Sequence, residues 1–262
     1  MTVSAMKPVG SSVRDQVSPE EWAVRVDLAA FYRLVARHDM DDLVGTHISA
    51  RVPGEPDHFL LNPYGLLFEE ITASSLIKMN MDGEVVLPGE GGHPVNAAGF
   101  TIHSAVQGAR KDVVCAAHTH TVPGMALSAI DGELLPLHQK AMRFYKRTSY
   151  HDYEGVATDL DERERLVRDL GENNAMVLRN HGLLVCGPSV RSTWALLYNM
   201  EKCCAAQLAI EATGAEVIVP SEDLCERTYH QFARMMQATK SPLDGWELAL
   251  RLLDRADPTY KH

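Results

Sequence analysis

Between residues 18 and 38 apolar side chains return every three or four positions, at Trp22, Val26, Ala29, Ala30, Leu34 and Val35, the pattern of a helix with one buried face. Ser18 followed by Pro19 and by Glu21 three residues on is an N-cap with capping-box spacing, and His38-Asp39 closes the helix. From Leu43 the apolar runs shorten. THISARV, HFLLNP and ITASSLIKM read as extended pieces, and Asp82-Gly83 in MDGEVV as a hairpin turn. After the PGEGGHP loop the helical period returns in AAGFTIHSAVQGAR; DVVCAAHTH then reads as a strand with a Val-Pro-Gly turn at its end. DGELLPL predicts a small hairpin or bend, 161–170 a charged helix, and AMVLRNHGLLVCG two strands about a turn. Further helices are expected over 192–212, over 222–238 and from Trp246. Helices flanking short, turn-separated strands, without a strict strand–helix–strand rhythm, predict a layered α/β domain.

A chain of 262 residues buries one substantial core, so the expected division is a flexible segment 1–17, a domain 18–240 and a helical extension 241–262. The formal charge of -10 argues against nucleic acid and anionic membrane as partners and leaves a small-molecule substrate. Cys115, Cys186, Cys203, Cys204 and Cys225 make an odd set without CxxC spacing, which reads as thiols of a reducing compartment. No apolar run approaches the roughly 20 residues of a membrane span, and the N-terminus lacks the apolar centre of a signal peptide. The cytoplasm is the expected location.

Chemistry gathers at AAHTHTVPG. Residues two apart on a strand project to one face, so His118 and His120 present two imidazoles together, either as a metal-binding pair or as partly buried polar residues satisfied by neighbours. His181, in MVLRNHGLLV, sits at a tight turn between two apolar runs, at a sheet end where loops build sites. Three neutral imidazoles would leave coordination positions open, as a catalytic ion requires.

The runs AAGFTIHSAVQGARKDVVCAAHTHTVPGMALSA and RNHGLLVCG resemble the class II aldolase/adducin family. GTHISARVPG, HFLLNPYGLLFEEITASSLIKMNMDGEVV and SYHDYEG resemble its adducin-head branch in particular. The resemblance implies a three-layer α/β/α sandwich with a mostly antiparallel central sheet flanked by helices. It also implies a homotetramer with sites near subunit interfaces. It makes His118, His120 and His181 ligands of one divalent ion, zinc first and manganese or iron next, which stabilises an enediolate as a carbon–carbon bond breaks.

The departures from that pattern matter as much. Sugar-phosphate aldolases of the family carry an acid/base glutamate nineteen residues before the first histidine of the pair, where this chain has Gly99. Their phosphate-gripping hydroxyl residues correspond to Ala97 and Ala98, and their PSG-type turn to Pro63-Tyr64-Gly65, which argues against a phosphorylated substrate. His103, one helical turn beyond Gly99, is the candidate to approach the ion as ligand, acid/base or supporting partner. Tyr150 corresponds to the proton-donating tyrosine of the aldolases, with Tyr153 competing; Thr46 and Tyr64 are the candidate substrate contacts. Two functions compete: a metal-dependent lyase, by aldol cleavage or decarboxylation, and a non-catalytic adducin-like binding or scaffold protein that keeps the metal site.

Overall fold

The chain is described here in a computed structural model that covers residues 12–95, 97–155, 162–237 and 245–262. Helix α1 (Pro19–Arg37) starts where the sequence places its cap, with the Ser18 side chain accepting from the Glu21 N–H. Of the segment expected to be loose, residues 1–11 lie outside the described part, while Val13–Gln16 forms a 3-10 turn with Val13 buried.

Eight strands form one sheet: β1 (His47–Val52), β2 (Glu55–Leu61), β3 (Ile77–Asn80), β4 (Val85–Leu87), β5 (Cys115–Thr119), β6 (Thr148–His151), β7 (Ala175–Leu178) and β8 (Gly182–Gly187). Their order is β4-β3-β2-β1-β5-β8-β7-β6, and every pair is antiparallel except β6–β7. The other helices are α2 (Ala97–Ala109), α3 (Val122–Ser128), α4 (Glu162–Leu170), α5 (Val190–Glu211), α6 (Glu222–Gln237) and α7 (Trp246–Ala256). DGELLPL forms no strand. The Val-Pro-Gly stretch, expected as a turn, begins α3 instead, because Thr121 caps it and proline fits a first helical turn.

Strand alternation separates two cores. Ala117, Val177, Leu183 and Val185 pack with α1, α5 and α7 on one face, whereas Ala116, Met176, Leu184 and Cys186 pack with α2 and α4 on the other. The architecture is therefore the expected α/β/α sandwich. The C-terminal segment shares the first core, where Trp246, Leu253 and Tyr260 are buried. All five cysteines are buried free thiols, and no described helix is long and apolar enough to cross a membrane.

The start of β1 is pinned by one phenol. Buried Tyr32 accepts from the N–H groups of Ile48 (2.8 Å) and Asn62 (3.2 Å), while its own proton lies between the Ile48 carbonyl and Asn62 Oδ1. Removing the hydroxyl strands two buried donors. Tyr32→Phe should therefore lower stability by at least about 2 kcal/mol in urea unfolding; an unchanged midpoint would contradict this role.

Candidate metal centre

Strand β5 carries His118 and leads into His120, both on the α2 side of the sheet, and the three-residue turn joining β7 to β8 brings His181 against them. That turn is tight because Asn180 adopts a left-handed conformation (φ 53°), which asparagine tolerates. One potential ligand atom from each of His118, His120 and His181 lies within 4.8 Å of the others. Ring centroids are 4.6 Å apart for His118–His181 and 4.9 Å for His120–His181. Gly182 permits the approach: a Cβ there would stand 2.3 Å from the Thr119 carbonyl oxygen and 3.3 Å from the His120 ring.

The hydrogen bonds settle which nitrogens carry protons. His118 Nδ1 lies 2.9 Å from the Leu183 carbonyl and His120 Nδ1 lies 3.0 Å from the Asp42 carboxylate. Both partners only accept, so each Nδ1 carries a proton, and in the neutral ring each Nε2 offers a lone pair. The two Nε2 atoms are 2.8 Å apart. A shared proton would make one ring an imidazolium, and burial, followed by the neighbouring imidazoles, drives His118 well below the ordinary histidine value. A divalent cation is the species such a donor set accepts, and carboxylate- or carbonyl-held Nδ1 is how metal-ligating histidines are commonly oriented.

Support comes from the opposite face of the sheet too. Buried Glu201 of α5 accepts from the hydroxyls of Thr119 (2.7 Å) and Thr121, which alternate with the histidines along the chain. Burial raises its pKa. Neither Asp42 nor Glu201 is evident as a site residue from local sequence. The one signal for Glu201 is its place as an acid inside the apolar run of α5.

The three histidines open on a cavity of about 360 Å³ whose walls include Gly45, His47, Ile102, Met125 and Tyr153. A larger groove of about 530 Å³ lies elsewhere, between Gln139 and Met235, and among the described residues its lining carries no comparable cluster of titratable groups. Neither Tyr150 nor His103, the two candidate catalytic residues, lines this cavity. Tyr150 pairs with Val177 on the opposite sheet face, where its oxygen accepts from the Leu134 N–H and burial raises its pKa to about 12. It does not line the cavity; Tyr153, 54% exposed with its ring 6.4 Å from that of His181, lines it instead. His103 does not join the three, because both of its nitrogens are engaged, with His47 Nδ1 at 2.7 Å and with the Ser49 hydroxyl. Thr46 is buried and its hydroxyl has no partner among the described residues, and Tyr64 is half exposed; neither is among the residues that line the cavity.

Residues 26–208 match the family model described as Class II Aldolase and Adducin N-terminal domain. The chain belongs to this family. It is 44% identical over 262 residues to the "Putative aldolase class 2 protein" of Pseudomonas aeruginosa, covering 99% of this chain and 100% of that one. Alpha-adducin of Rattus norvegicus is 41% identical over 74% of this chain, a region that makes up 26% of the adducin. The solved L-fuculose 1-phosphate aldolase of Glaciozyma antarctica superimposes with a TM-score of 0.81 at 27% identity, covering 98% of this chain and 97% of that one. The class II aldolase family typically binds a divalent metal, in line with the donor set of the histidine cluster.

The buried imidazoles also set a pH dependence for the metal-free protein. Burial first, then neighbouring imidazoles, lowers His47 and His118 well below 6.5, His103 to about 3 and His181 to about 4. Below about pH 6.5 the unfolded chain thus holds more protons than the folded one, and stability falls as pH drops towards the folded-state values. Asp27, raised to about 6 mainly by burial, and Glu201 act in the opposite sense but are fewer. The urea midpoint should be lower at pH 5.5 than at pH 7.5; an equal or higher midpoint at pH 5.5 would contradict neutral burial of the cluster.

Proposed function

We propose that the protein is a metal-dependent lyase that breaks a carbon–carbon bond in a small, unphosphorylated carbonyl or carboxylate compound, by aldol cleavage or decarboxylation. The convergence of unprotonated Nε2 atoms from His118 and His120, with His181 against them, carries this reading. These three residues would hold one divalent ion, zinc first, with manganese or iron next. When bound, such an ion supplies Lewis-acid stabilisation of a developing enolate.

The chain's own residues then divide the remaining work. Asp42 and the Leu183 carbonyl hold the two rings in their tautomers, Ile102 and Met125 form an apolar wall that limits water, and the Tyr153 phenol stands at the mouth as a candidate proton donor. Among the described residues no lysine or arginine lines the cavity, so a phosphate dianion would lack a charged partner there. Decarboxylation needs electron withdrawal but no base to begin it, which suits a chain with glycine at position 99. A homotetramer with sites near subunit interfaces and a cytoplasmic location belong to the same proposal. The similarity to alpha-adducin favours a second reading, a binding protein that keeps the ion without turnover.

Metal analysis of untagged protein should find about one divalent ion per chain, falling below about 0.2 in the His118→Ala, His120→Ala, His181→Ala triple variant. Equal content in both would remove the site. Metal-loaded wild type should turn over a member of a hydroxy-keto-acid and aromatic-carboxylate panel; full loading with no turnover would favour the binding reading.

A further inference from the structure

A second cavity, of about 320 Å³, lies where β6 and β7 begin, between Arg147, Ala175 and the Tyr229 side of α6. The far ends of the same two strands lead into Tyr153 and His181, so the length of each strand separates this cavity from the histidine cluster. Helix α6 closes over it through two stacked pairs. The guanidinium carbon of Arg143 stands 4.2 Å from the centre of the Phe232 ring, and that of Arg147 stands 4.1 Å from the centre of the Tyr229 ring. Tyr229 and Phe232 are three residues apart and share one face of α6.

The charges of these two arginines are met differently. Arg147 donates to both oxygens of the Glu226 carboxylate, at 2.6 and 3.1 Å. Arg143 is partly buried, and among the described residues its buried Nε has no hydrogen-bond partner. Burial draws its pKa down, and no carboxylate among the described residues holds it up. An arginine stays charged even so, and a guanidinium taken from water without a counter-charge is costly. Stacking on Phe232 occupies a face of the guanidinium and leaves the N–H groups in its plane for a planar acceptor.

The walls restrict what that acceptor is. Phe144, Ala175 and Leu196 line the cavity with apolar surface, which suits a ligand with an apolar body. Glu226 cancels the charge of Arg147, and the exposed Glu172 on the wall opposes any further negative charge. One uncompensated positive charge is left, at Arg143. A phosphate dianion exceeds it, whereas one carboxylate matches it and can take two parallel N–H bonds from a guanidinium. At about 30 Å³ per water, the volume suits a compound of roughly ten non-hydrogen atoms.

We propose that this cavity binds a small monocarboxylate with an apolar body, held at its charged end by Arg143. The site stands independently of the metal-dependent reading.

Benzoate is the probe, added to chelator-treated protein so that no ion at the histidine cluster competes for its carboxylate. The Nε–H signal of Arg143 in proton–nitrogen NMR, assigned by its loss in Arg143→Gln, should move saturably with benzoate and stay in place with inorganic phosphate. By titration calorimetry Arg143→Gln should bind benzoate roughly 10- to 100-fold more weakly. Glu172→Gln, a change at an exposed position, should bind it roughly 2- to 5-fold more tightly. That gain cannot come from misfolding, so the proposal remains testable if Arg143→Gln proves unstable. An Arg143 signal that ignores benzoate, unchanged affinity in Arg143→Gln, or weaker binding in Glu172→Gln would overturn the site. Phosphate binding as tight as benzoate would overturn the monocarboxylate class.

Discussion

The Nε2 atoms of His118 and His120 face each other at 2.8 Å because each opposite nitrogen is committed to an oxygen that can only accept. Two lone pairs at that separation repel unless a proton or a metal cation lies between them, so the arrangement suits cation binding better than plain packing. Much of the surrounding structure serves to hold it. The Leu183 carbonyl comes from β8, Asp42 from the loop before β1, and Glu201 braces Thr119 and Thr121 from the other side of the sheet. Gly182 lets β8 and the His181 turn close on β5.

Local pattern makes part of this legible in the sequence. Period and capping locate α1 to the residue at its start, strand alternation puts His118 and His120 on one face, and the Asn180 turn singles out His181. Contacts across long sequence separations leave no such trace. Asp42 meets His120 across 78 positions, Glu201 meets Thr119 across 82, and His47 meets His103 across 56. The error over Tyr150 has the same origin. Sheet alternation at 150 depends on β6 pairing in parallel with β7, and that pairing turns its side chain towards α5 and away from the histidines.

Family membership defines the scaffold without defining the reaction. The same fold is present in a solved sugar-phosphate aldolase and, by sequence, in the head of alpha-adducin. The features of this chain that bear on its chemistry are local: Gly99 with the His47 ring laid against it, and described cavity walls free of lysine and arginine. Both features leave that part of the described lining uncharged, which is what the proposed enolate-forming step on a small compound without phosphate would use.

X-ray absorption at the zinc edge of zinc-loaded protein examines the central claim most directly. The account predicts a first shell containing three imidazole nitrogens at about 2.0–2.1 Å completed by oxygen, with no sulfur. A shell containing sulfur, or one with fewer than two imidazoles, would contradict it.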